Sequence, residues 1–312
     1  VEAGASAVKR LVRDDASRAF LNLFRGRGDA YGSWDGGCVH RPLTPDSFYR
    51  HLNGDELIGV YPHVYIRDGW KCVWGCTDID VDDLDAAANI KMAFGMKNIP
   101  AWIERTRKGY HVWVFMATSQ IATTRTMRRA FLAAHQAIDY VAKEVNPKQE
   151  DPGKGYGNYV RLPYPNGFNE PIPENRYMLD SNEQPVALGD WLEMVNDGGL
   201  AELANLESIA EMYKEPVRQT IVIDEVTEDV TKLLPLLSRG SFMYWQDGPI
   251  TGRDRSTTLV RLAHKLEQDG LGPSEAFVIV KSADLRWGKF HLREDGETQI
   301  MKIISHVYGE QK

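Results

Sequence analysis

The segment IPAWIERTRKGYHVWVF (99–115) constrains the fold more than any other stretch of the chain. Two apolar runs, Ile99–Arg105 and Tyr110–Phe115, flank the short basic turn RKG, a pattern that predicts a β-hairpin. LIGVYPHVY (57–65) and KCVWGCTDID (71–80) read as further strands. Helical spacing predicts a helix over 15–25, and the Gly-, Asp- and Ser-rich stretch 29–46 reads as loop. A longer helix starts at Thr123 or Thr124 as N-cap and sets Met127, Phe131, Ala134, Ile138 and Val141 on one face. A short strand is predicted at Glu144–Asn146, before a Gly/Pro-rich loop and NYVRLPYP.

Past residue 205 the character changes. A linker is expected over 209–231, where a proline, β-branched residues and acids mix, and helices follow. One carries Leu259, Leu262, Ala263 and Leu266 and stops at Gly270; another opens at Pro273–Ser274; the last carries Ile300, Ile303, Ile304 and Val307. The division predicted is 1–208, linker 209–231, and a helical bundle over 232–312.

Net charge is −7, with 44 acidic and 37 basic residues, so nucleic acid binding over the whole surface is not expected, although a local basic groove is compatible with it. Basic residues bunch at Arg105, Arg107 and Lys108, at Arg125, Arg128 and Arg129, and at Lys148, Lys154 and Arg161. No apolar run approaches the roughly 20 residues that span a bilayer, so no membrane partner is expected. Three cysteines fit a reducing cytoplasm better than a disulfide framework. The chain opens on Val1 rather than Met, so trimming at both ends is the expectation and no targeting signal is read.

WGCTDIDVDD (74–83) gathers Asp78, Asp80, Asp82 and Asp83, with Asp85 close behind. In a strand Asp78 and Asp80 share a face, a spacing that lets two carboxylates hold Mg²⁺ or Mn²⁺. Asp82, Asp83 and Asp85 fall at the start of the next helix, where acids suit the dipole. The competing reading is a solvated acidic turn. An EF-hand is excluded, because position six is Asp83 rather than Gly and position twelve is Asn89 rather than Glu. His111 follows the basic turn and suits a phosphate contact, and Glu144 offers a third carboxylate from another strand. Cys38, His40, Cys72 and Cys76 do not make a zinc site: Cys72 and Cys76 in one strand stand about 13 Å apart at roughly 3.3 Å per residue. No G-x-x-x-x-G-K-[ST] occurs.

In order, Asp78-Ile79-Asp80, Gly109-Tyr110-His111 and Glu144 resemble the three motifs of the archaeo-eukaryotic primase superfamily, in its phage and plasmid primase–polymerase branch. HLNGDELIGVYP (51–62), NPKQEDPGKGYGNYVRLPYP (146–165) and RYMLDSNEQPVALGDWLEMV (176–195) extend the resemblance over about 15–205. It implies an α+β catalytic domain of mixed and antiparallel sheets with flanking helices and an RRM-like core, followed by a small all-α bundle. It implies that Asp78, Asp80 and Glu144 bind Mg²⁺ or Mn²⁺, with Glu150 or Asp151 as alternatives for the third carboxylate. His111, Lys108, Lys148 and Arg161 would then contact the nucleotide. The expected activity is primer synthesis and extension on a single-stranded DNA template from NTPs or dNTPs, with a helicase as a possible further partner. The alternatives are a gap-filling repair polymerase, a metal-dependent nuclease, or a non-catalytic strand-binding module. Tyr156, Tyr159 and Tyr164 are expected to pack loops onto the core rather than stack bases.

Overall fold

The computed structural model describes residues 2–67, 69–117, 119–140, 144–153, 155–215, 230–248 and 255–309, with side chains from residue 12 onward. The chain divides into two compact units, Val1–Lys214 and Glu215–Lys312.

The first unit opens with helix α1 (Glu2–Phe24), strands β1 (Tyr31–Ser33) and β2 (Cys38–Val39), and helix α2 (Pro45–Asn53). Strands β3 (Ile58–Val60), β4 (Val64–Ile66), β5 (Gly69–Cys72) and β6 (Trp74–Ile79) lead to helix α3 (Leu84–Gly95). The hairpin β7 (Trp102–Arg105) and β8 (Tyr110–Phe115) precedes β9 (Ala122–Thr123) and helix α4 (Thr124–Ala137). Strands β10 (Glu144–Asn146), β11 (Val160–Arg161) and β12 (Tyr177–Leu179) and helices α5 (Leu188–Asn196) and α6 (Leu203–Glu211) complete it.

These strands form three sheets in the orders β10-β6-β8-β7-β12, β11-β3-β1-β2 and β4-β5-β9, each pairing antiparallel. Strand β8, YHVWVF, is buried at every position because the five-stranded sheet is covered on both faces. On one face α4 brings Met127 and Phe131 against Gly75, where an added Cβ would lie 2.5–2.7 Å from both side chains. On the other, Phe24 of α1 meets Trp113 and Phe115 edge-on at 5.2 and 4.9 Å, and Trp191 of α5 closes the cluster. This second face also bears Cys76, Asp78 and His111. Its aromatic end is packed shut, and its acidic end opens into a cavity.

The α+β architecture is as expected, but several boundaries differ. LIGVYPHVY is two strands in two sheets, broken at Tyr61-Pro62-His63, where Pro62 has no N–H to donate to a ladder. KCVWGCTDID breaks after Cys72 in the same way. The stretch 29–46 holds β1, β2 and the start of α2. Helix α4 ends at Ala137, because Ile138 is its C-cap and Asp139 turns the backbone to φ +53°; Val141 lies outside the described residues, as does Lys154. Of the linker region, 209–211 belong to α6, 230–231 to the next helix, and 216–229 lie outside the described residues.

The second unit contains α7 (Val230–Leu233), α8 (Arg239–Asp247), α9 (Arg255–Gln268), α10 (Pro273–Trp287) and α11 (Gly296–Tyr308). Its own core joins Leu259, Leu262 and Leu266 to Ile279, Val280, Ile300 and Ile304. Gly270, at φ +83°, ends the turn after α9. Buried Asp284 accepts the N–H groups of Lys289, Phe290 and His291 and so fixes the turn after α10.

Candidate active site

Cross-strand register places four chemistry-bearing residues in one row. Asp78 of β6 pairs with Glu144 of β10 on one side and with His111 of β8 on the other, and His111 pairs with Glu104 of β7. Directly paired residues share a face and stand about 4.5–5.5 Å apart between Cα atoms. The row Glu144–Asp78–His111–Glu104 therefore crosses the sheet on one face, and the next row on that face is Asn146–Cys76–Trp113–Trp102.

The row borders a cavity of about 490 Å³. Asp78, His111, Glu144 and Asn146 line it from the sheet, and Cys38, Tyr61, Asn158, Tyr159, Arg161 and Arg176 line it from the surrounding strands and loops. Glu144 receives Lys148 at 3.5 Å and the Asn158 amide at 3.5 Å. Among the described residues the Oδ1 of Asn146 is buried without a partner.

His111 is nearly enclosed. Its Nδ1 lies 2.7 Å from Glu104 Oε2, and its Nε2 lies 3.5 Å from Asp78 Oδ1. Burial alone disfavours its charge, but the Cys76 sulfur, the Glu104 carboxylate and the Asp78 hydrogen bond outweigh that and hold its pKa well above the ordinary imidazole range. Burial pushes the Cys76 thiol up to about 11. Glu104 is 0 % exposed and accepts from three groups: His111, Trp113 Nε1 at 2.7 Å and Arg176 Nη1 at 2.9 Å. Burial alone would raise its pKa; the positive charges of His111 and Arg176, with the hydrogen bonds from His111 and Trp113, bring it below the usual glutamate value.

The residues singled out in the sequence divide. Asp78, Glu144, His111 and Arg161 line the cavity; Asp80, Lys108 and Lys148 are not among its lining residues. Asp80 lies one residue past the end of β6 and is exposed, because the strand stops at Ile79. Lys108 is exposed in the β7–β8 turn, and Arg105 is engaged by Asp82. Asp83 caps α3 through the Ala86 N–H. Glu150 and Asp151 stand in the loop beyond β10, away from the cavity lining; Arg125 approaches Glu150 at 3.9 Å and Asp151 accepts from Gly153 N–H. Tyr159 lies over Gly32 and Gly59 and donates to Ser33 O, and Tyr164 is buried, donating to Val186 O. Among the described residues no group of three or more His, Cys, Asp or Glu side chains is arranged to hold a metal ion.

Glu104, Arg176, Asn146 and Asn158 had not been picked out from the sequence. For Glu104 a signal existed: it is the lone acid in an apolar strand, directly opposite His111 once the hairpin register is counted across the 106–109 turn.

Residues 38–187 match the family model of the TOTE conflict system archaeo-eukaryotic primase domain. All of the matched residues lie in the first unit, which is thus similar to an archaeo-eukaryotic primase domain. The matching family model is named for TOTE conflict systems, whereas the sequence motifs pointed to the phage and plasmid branch of the same superfamily. The crystal structure of primase RepB′ aligns with 95% of this chain and 94% of its own at 14% identity, with a TM-score of 0.29, a likeness on which no argument rests. No curated protein matches the chain. The row Glu144–Asp78–His111 lies inside the matched segment, as do Glu104 and Arg176. Among the described residues no helix is long and apolar enough to cross a membrane.

Proposed function

We propose that the first unit synthesises and extends primers on single-stranded DNA by transferring nucleotides from nucleoside triphosphates at the cavity beside β6. The family match supports primase-type nucleotidyl transfer. The observation that carries the finer reading is the row Glu144–Asp78–His111 bordering one cavity with Arg161 and Arg176.

The lining of that cavity has two chemically distinct parts. Asp78, Glu144 and Asn146, whose Oδ1 has no partner among the described residues, bring oxygen atoms to the cavity, the donor chemistry that a hard divalent cation such as Mg²⁺ or Mn²⁺ takes. Asp80, past the strand end, would complete such a set only by turning toward Asp78. A cation held there would supply charge neutralisation at the attacking 3′-hydroxyl and at the leaving pyrophosphate. The neighbouring part of the lining is basic. His111, fixed by Glu104 through Nδ1, keeps Nε2 for a further contact, and Arg161 adds a guanidinium; both suit phosphate oxygens. Lys148 and Asn158 hold the Glu144 carboxylate in place.

The test is incubation of the full chain with unprimed single-stranded DNA, labelled nucleoside triphosphates and Mg²⁺ or Mn²⁺, beside Asp78→Asn. Short new products from the first, reduced on the order of 100-fold or more in the second, are the expected result. Extension of a primed template without products on an unprimed one would leave a gap-filling polymerase. Strand cleavage independent of nucleotides would overturn the reading in favour of a nuclease.

A further inference from the structure

We propose that Arg176 binds the polyphosphate of the incoming nucleotide, and that the buried carboxylate of Glu104 is the positioning residue that aims both Arg176 and His111 at it. The inference rests on the nucleotidyl-transfer reading of the same cavity.

Arg176 lines the cavity with a side chain only 12 % exposed. Its Nη1 donates to Glu104 Oε1 at 2.9 Å and to Arg161 O at 3.3 Å, and its guanidinium lies 5.2 Å from the centroid of the Trp34 ring. Among the described residues its Nε and Nη2 have no hydrogen-bond partner. A countercharge for Glu104 needs one nitrogen, and a lysine would supply it. The stacked, pre-oriented fork with spare donors is in excess of that need and matches the planar recognition of phosphate oxygens.

The backbone at Arg176 is tied down. It holds φ +64°, a left-handed conformation that non-glycine residues adopt at an energetic cost. Arg176 N–H donates to Arg105 O at 2.8 Å, which ties this conformation to the start of the β7–β12 pairing.

Glu104 joins two side chains through its two oxygens: Oε2 takes His111 Nδ1 and Oε1 takes Arg176 Nη1. With both bonds made, His111 Nε2 is left 3.5 Å from Asp78, and both residues line the cavity. Asp78 and Glu144 thus lie toward β6 and β10, and His111 and Arg176 toward β8 and β12, with the Glu104 carboxylate between the latter two. A ligand that satisfies both parts of the lining carries several negative charges at one end, as a nucleoside triphosphate does. Inorganic tripolyphosphate shares that chemistry, so both are probed.

The experiment measures affinity of the full chain, at fixed Mg²⁺, for a nucleoside triphosphate, its monophosphate and inorganic tripolyphosphate. It compares the wild type with Arg176→Ala, Arg176→Lys and Glu104→Gln by calorimetry, with Tm recorded for each. Arg176→Ala is expected to weaken triphosphate and tripolyphosphate binding roughly 10- to 100-fold and to leave the monophosphate unchanged. In turnover it raises KM for the triphosphate more than it lowers kcat. Arg176→Lys keeps the charge beside Glu104 and the wild-type Tm, and loses several-fold in triphosphate affinity. Glu104→Gln, which frees both side chains from their shared carboxylate, weakens triphosphate binding on the order of tenfold. Unchanged triphosphate affinity in both Arg176 variants, with a wild type that binds, overturns this inference alone. An equal loss for all three ligands, tracking a fall in Tm, also overturns it and leaves Arg176 a structural residue. A wild type that binds no triphosphate overturns the nucleotidyl-transfer reading together with it.

Discussion

His51 on α2 is wholly enclosed, yet both of its ring nitrogens are used. Nε2 donates to Pro163 O at 2.9 Å, and Nδ1 accepts the Ile58 N–H at 3.3 Å. That pairing requires the neutral ring, and burial lowers its pKa to about 4. A histidine whose folded pKa lies below its unfolded value of roughly 6.5 leaves the unfolded state holding more protons between the two. Its contribution is therefore complete above about pH 6.5 and is lost as pH falls toward 4, by about 3 kcal/mol in all. His135, also buried and lowered to about 4, adds a loss of the same sign. Urea unfolding of the wild type and His51→Gln across pH 4–7 checks this: the difference in stability between them should shrink toward acid. Single residues were unevenly legible in the sequence. Asp78, His111 and Glu144 stand in strands that apolar runs mark out, but their common face comes from cross-strand register, which spacing within one strand does not give. The place of Asp80 was not legible either, because alternation says nothing about where a strand stops. Arg176 carries no local pattern, since its place is set by a long-range pairing of β12 with β7.

At the scale of elements, the pairing of β6 with β8 sets the site, and Gly109 is what allows its outer end to close. A Cβ there would lie 1.9 Å from Ile79 O and 2.5 Å from Val81 O, both backbone atoms that cannot swing aside. Gly109→Ala is expected to cost about 2–3 kcal/mol of stability and to displace the end of β6 that bears Asp78. Primer synthesis should then fall further than the change in Tm accounts for, at a temperature where the variant is still folded. The β7–β8 hairpin was readable because apolar runs and a basic turn are local signals. The breaks within 57–65 and 71–80 were not, because each continuous apolar run serves two sheets, and only tertiary packing decides where the chain crosses between them. The short β1 and β2 lie in a Gly-rich stretch whose composition imitates loop.

At the scale of the whole molecule, the described residues form two separate apolar cores, one for each unit. Each is closed by its own helices, and the second contains no described strand. Calorimetry should resolve two unfolding transitions, and nucleoside triphosphate should raise the one belonging to the first unit while leaving the other in place; a single transition moving as a whole would contradict this. The bundle was legible as a whole, because apolar residues at helical spacing and Gly/Pro punctuation are enough to specify such a unit. One bond in the first unit reaches beyond chemistry into optics. The indole N–H of Trp113 is fastened to the carboxylate that steadies His111 and Arg176, and its ring lies 5.3 Å from that of Trp74. Charge arriving at that pair of side chains alters the field across an indole sealed from water, and so alters the colour of its emission. The chain carries its own lamp at the cavity: titration with triphosphate should shift tryptophan fluorescence in the wild type and shift it less in Trp113→Phe, where Trp34, 5.2 Å from the Arg176 guanidinium, supplies the remaining response.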